Sequence, residues 1–156
     1  MEGIRMSRTN KTAVYLLTLL LIFVIPIQAF AADKPITINI DNEKVDFSVQ
    51  PQYINGVVYV PIRTICEKLG IAYEWNNQTK TVSGVKGNKE FELKLGSSEV
   101  IYNGKARALH GQSFLQNGTI LVPLRFVAES IQNAVIWDGS TYTASITTDG
   151  VLEAQE

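Results

Sequence analysis

The sequence predicts an α+β fold: a duplicated unit of antiparallel β-strands packed around one short α-helix per repeat. Three observations carry that prediction. The segment NGVVYVPIRTICEKLG from Asn55 recurs 62 residues later as NGTILVPLRFVAESIQ from Asn117, and many matches at one offset mark an internal duplication. Each copy opens on Asn-Gly between extended segments, the strongest short-range hairpin signal because both turn positions need φ > 0. Each copy then places apolar residues at i, i+3, i+4 and i+7, which is one face of a helix. These are Ile62, Ile65, Cys66 and Leu69 in the first copy and Leu124, Val127, Ala128 and Ile131 in the second.

The repeats cover about residues 38–86 and 99–147. Near their starts Asp41-Asn42 falls on Asn103-Gly104, each leading a short extended segment. The Asn-Gly turns join Gln52–Ile54 to Val57–Val60, and Phe114–Gln116 to Thr119–Val122. Pro61 and Pro123 follow, where a fixed φ and a missing N–H suit the first helical position. Gly70 supplies the left-handed residue that ends the first helix. Gln132-Asn133 ends the second, with Asn as the substitute for glycine. Strands then close on tryptophan, Ile71–Trp75 and Ala134–Trp137, and polar turns (NNQT, DGST) lead into Thr81–Lys86 and Tyr142–Thr147. Between the copies Phe91, Leu93 and Leu95 alternate with Glu90, Glu92 and Lys94, a strand with one wet face. One short helix and few apolar residues per copy are too little for two separate cores, so the copies must share one.

The N-terminus reads differently. Arg5, Arg8 and Lys11 precede the apolar run AVYLLTLLLIFVIPI (Ala13–Ile27), and Ala29-Phe30-Ala31 follows. A basic start, an apolar middle and an Ala-x-Ala exit make a secretory signal peptide over residues 1–31, cleaved near Ala31. An uncleaved anchor is the alternative, although the run is short for a bilayer-spanning helix. The remaining 125 residues carry 11 Lys+Arg against 14 Asp+Glu. A net charge near −3 leaves no footprint for nucleic acid or anionic lipid. The single cysteine excludes an intramolecular disulfide, and Cys66 lies on the helix stripe where the other copy has alanine. A buried thiol of this kind behaves as a small hydrophobe.

The twice-written pattern of Asn-Gly, VPIR (Val60–Arg63) or VPLR (Val122–Arg125), and a downstream tryptophan resembles the copper amine oxidase N-terminal, or stalk, domain. YNGK at Tyr102–Lys105 fits the lead-in of that family better than IDNE at Ile40–Glu43. The resemblance covers about residues 36–147, leaving residues 148–156 as a tail. It implies an antiparallel sheet curled around a helix and a cell-envelope setting in a Gram-positive bacterium. It implies no copper, because the oxidase chemistry of the parent enzymes belongs to a separate catalytic domain.

The residues themselves point the same way. A type-2 copper centre wants several imidazoles, and the only histidine is His110 in the loop-like stretch ALHGQS. One histidine and one core cysteine give no catalytic set, no metal site and no cofactor site, so no enzyme is expected. The conspicuous residues are instead Pro61, Arg63, Glu67 and Trp75, with Pro123, Arg125, Glu129 and Trp137 as their counterparts. Arg63 and Arg125 sit in the first helical turn, where a cation meets the positive end of the helix dipole. Each is placed to clamp its own helix's glutamate and nearby strand carbonyls. An anion-binding site is the alternative. The aromatics Tyr53, Tyr59, Tyr73, Trp75, Tyr102, Trp137 and Tyr142 are core residues or else a glycan-stacking strip; equivalent repeat positions favour core for the tryptophans. Two functions follow. One is an exported, non-catalytic cell-surface or envelope module that contacts an envelope protein or a cell-wall polymer. The other is a carbohydrate- or peptide-binding protein with an aromatic and arginine-lined groove. The sequence sets no oligomeric state.

Overall fold

The computed structural model describes residues 34–148. The expected signal peptide lies outside the described residues, as does the tail beyond Thr148. No helix among the described residues is long and apolar enough to cross a membrane.

Turn chemistry sets the strands. Asn55-Gly56 and Asn117-Gly118 both take positive φ at both positions, the twist that matches right-handed strands in a two-residue hairpin. They join β3 (Gln52–Ile54) to β4 (Val57–Pro61), and β10 (Phe114–Gln116) to β11 (Thr119–Pro123). Helices α1 (Ile62–Lys68) and α2 (Leu124–Ser130) follow directly. The other strands are β1 (Thr37–Ile40), β2 (Glu43–Lys44), β5 (Ala72–Asn76), β6 (Thr81–Lys86), β7 (Lys89–Lys94), β8 (Glu99–Tyr102), β9 (Lys105–Ala108), β12 (Ala134–Asp138) and β13 (Thr143–Thr147). Among the described residues the fold is α+β, mostly sheet with two short helices.

Three sheets result, ordered β12-β13-β1-β2, β10-β11-β4-β3 and β5-β6-β7-β8-β9. At the centre β4 pairs antiparallel with β11, and Val60 lies opposite Val122. Both helices pack on both of these strands. Ile65, Cys66, Val127 and Ala128, all fully buried, therefore enter a single core with Ile38, Leu93 and Ile146. One pairing departs from the antiparallel pattern: β1 runs parallel to β13, with Ile38 opposite Ala144. No hairpin constrains these strands, because almost the whole domain forms the connection that a parallel pair requires. At the end of β13, the Thr148 N–H and hydroxyl both donate to the Asp41 carboxylate. These bonds hold the carboxyl of Asp41 below its ordinary range.

Two local expectations need correction. Pro61 and Pro123 occupy the N-cap, not the first helical position, with ψ of 118° and 121°. Each still belongs to a strand: Pro61 pairs with Leu121 and Pro123 with Tyr59, so the chain stays extended through the proline. The left-handed residue ending α2 is Gln132, φ 65°, matching Gly70 at 66°. Asn133 lies one residue beyond and is buried.

Candidate functional site

A groove of about 500 Å³ opens beside α2. Its walls come from parts of the chain that are distant in sequence: Tyr53 of β3, Tyr102 of β8, Arg107 of β9, Arg125 and Glu129 of α2, and Trp137 of β12. Exposed His110 also lines it. The Tyr53 ring stacks on Trp137 at 5.2 Å with a 14° interplanar angle. Tyr142 stands edge-on to both, 5.8 Å from each centroid. Offset stacks and edge-to-face contacts are the arrangements that aromatic quadrupoles favour.

Cross-strand register explains where the tryptophans stand. Trp137 pairs with buried Ala144, and Trp75 with buried Val82, so both lie on the core side of their sheets but at the rim. Trp75 is 37 % exposed and does not join the core, which corrects the expectation of a core tryptophan there. Trp137 is half-buried, packed against the core on one side and Tyr53 on the other. The difference lies in the neighbours. The 62-residue counterparts of Tyr53 and Tyr142 are Leu115 and Lys80, so no matching aromatic trio can form around Trp75.

The arginine clamp is present only in part. Arg125 approaches only Glu129, at 3.8 Å and on exposed surface. Among the described residues no ion pair joins Arg63 to Glu67, and neither arginine holds a strand carbonyl. Both side chains leave the helix on its wet face. A long, exposed i,i+4 pair contributes only tenths of a kcal/mol. Of the eight conspicuous residues, the groove gathers Pro123, Arg125, Glu129 and Trp137. Pro61, Arg63, Glu67 and Trp75 lie away from it. Arg107 was missed in the sequence. Its guanidinium lies 4.7 Å from the centre of the Tyr102 ring, a cation–π contact.

Cys66 is fully buried, and that burial, with a smaller push from the Glu67 carboxylate, raises its thiol to about 12. The thiolate is the reactive species, so a thiol reagent at neutral pH should label the native protein very slowly. Labelling should become rapid once denaturant unfolds the chain. Fast labelling without denaturant would contradict the burial.

The fold and groove define a small α+β module. Residues 39–146 match the copper amine oxidase N-terminal domain, and the chain belongs to that family. The matched domain is the non-catalytic N-terminal module. Among the described residues no three of His, Cys, Asp and Glu come together, and the donor set offers one imidazole and one core thiol. A Brevibacillus choshinensis protein named protease inhibitor is 28% identical over 102 residues, which are 65% of this chain and 31% of that protein. The chain thus matches less than a third of that relative's length.

Proposed function

We propose that this chain is an exported, non-catalytic envelope module that binds another protein through the groove beside α2. The observation that carries this reading is the Tyr53–Trp137 stack, half open to solvent and flanked by Arg107 and Arg125. Partly exposed aromatics beside arginine are the residue types that dominate protein-binding energy. The 62-residue spacing of the elements is read as a duplication in which only the second copy's Trp137 gained an aromatic surround. The name of the Brevibacillus relative also favours contact with protein, since a protease inhibitor acts on one. Aromatic stacking is equally a way to hold sugars, so a cell-wall polymer is the second reading.

The chain from Ala32 onward, incubated with envelope proteins and separately with peptidoglycan, tests this. Trp137→Ala and Arg125→Ala should each weaken protein capture about tenfold or more, as loss of a binding hot spot does. Trp75→Ala and Arg63→Ala should bind as the parent does, and all four should keep their fold. Capture by protease-treated peptidoglycan that depends on Trp137 would favour the polymer. Binding unaffected by Trp137→Ala would remove the groove from the function.

A further inference from the structure

We infer that the groove receives an extended peptide bearing carboxylate side chains, which adds as a strand to the open edge of β9. This rests on the groove reading above and names the partner's chemistry. β9 is the outermost strand of the five-stranded sheet, and all four of its residues are exposed. The Leu109 N–H donates to the Ser98 carbonyl at 2.8 Å. Alternation along an antiparallel ladder then turns the backbone of Arg107 toward β8 and that of Ala106 and Ala108 outward. Arg107 and Ala108 both line the groove, so backbone donors and acceptors with no ladder partner among the described residues open beside the aromatic wall.

Charge selects the occupant. Arg107 and Arg125 outnumber the one carboxylate of the groove, Glu129, in a chain whose net charge is −1. An added strand presents alternate side chains to one face. Its carboxylates can meet the two guanidinium groups, while apolar residues lie against Tyr53 and Trp137. A second copy is the wrong partner, since β9 laid on β9 would set Lys105 and Arg107 against their own kind. Basic residues on an edge strand discourage that pairing, and the same residues attract an acidic strand. Strand addition draws affinity from the main chain and specificity from alternate side chains.

The test uses a dye-labelled short extended peptide that carries glutamate and valine in turn at every second residue, with threonine between them, so that one face presents both. Binding to the purified chain is read by fluorescence anisotropy. The glutamate peptide should bind, more weakly as salt rises, while its lysine counterpart and a backbone N-methylated version should not. Ala108→Pro removes an outward N–H without breaking a β8–β9 bond, a position where an edge strand tolerates proline. It should weaken binding about tenfold or more at an unchanged melting temperature, and Arg107→Gln should do the same with a flatter salt dependence. Equal binding of the lysine peptide, or full binding by Ala108→Pro together with the N-methylated peptide, would overturn the inference. Envelope-protein capture that needs Trp137 but survives Ala108→Pro would also overturn it while leaving the groove reading intact.

Discussion

Gly84→Ala should destabilise the protein by about 1–3 kcal/mol, the usual cost of forcing atoms into a packed core. Gly84 of β6 lies directly opposite Phe91 of β7. A methyl group on Gly84 would overlap the Cε1 and Cζ carbons of that ring. The ring has little freedom to move, being buried and held edge-on by Phe126 at 5.1 Å. Glycine-to-alanine changes where space allows instead stabilise by about 0.4–1 kcal/mol through the unfolded chain. Gly139→Ala is therefore the control, because its nearest neighbour, Trp137 Nε1, is at an ordinary 3.5 Å. Urea unfolding should show a lower midpoint for Gly84→Ala and none of that loss for Gly139→Ala. Equal midpoints for Gly84→Ala and the parent would mean that Phe91 is not fixed over the glycine. Ile146 stands 62 residues further along the chain from Gly84. There β13 meets β1 directly, with Ile40 opposite, and no inserted phenylalanine claims the space.

Asn133→Ile is expected to act in the opposite direction, raising stability by about 1–3 kcal/mol, the range for relieving a buried unpaired polar group. Asn133 is 4 % exposed, and its side-chain Nδ2 has no hydrogen-bond partner among the described residues. In the unfolded chain water satisfies that amide, so folding strips a bond it does not replace. The residue 62 positions earlier is Ile71, also 4 % exposed. The backbones match as well. The Asn133 N–H donates to Ala128 O at 3.0 Å, and the Ile71 N–H to Cys66 O at 2.8 Å. Isoleucine is larger than asparagine, so Asn133→Val provides the less crowded substitution. Thermal melts should place at least one variant above the parent. Melting below the parent in both would show that this position requires a polar group.

These two positions separate what is local from what is not. Turn chemistry and periodicity reside in contiguous residues, so the Asn-Gly hairpins, both helix stripes and the alternation of β7 are readable in the chain itself. The burial of Cys66 follows from its place on the α1 stripe for the same reason. A match at the 62-residue offset, by contrast, misleads wherever the neighbours differ. Trp75 and Trp137 occupy matching places, but Tyr53 and Tyr142 flank only one of them. Asn133 looks like a helix-ending residue by composition, yet the backbone places the left-handed turn one residue earlier, at Gln132.

The sequence by itself determined the two Asn-Gly hairpins, the two short helices and the strands that follow them, and it named the arginine, glutamate and tryptophan of α2 and β12; it marked neither β1 nor β8. Tertiary structure alone decided that β1 lies parallel to β13, that both helices rest on β4 and β11, and that β9 is left with an open edge. The groove depends on those decisions. Tyr53, Arg107 and Trp137 share a wall only because strands far apart in sequence are brought together, and Arg107 carries no local signal of that destination. A strand's pattern records which of its faces is wet; which neighbour it pairs with is fixed by long-range packing of the shared core.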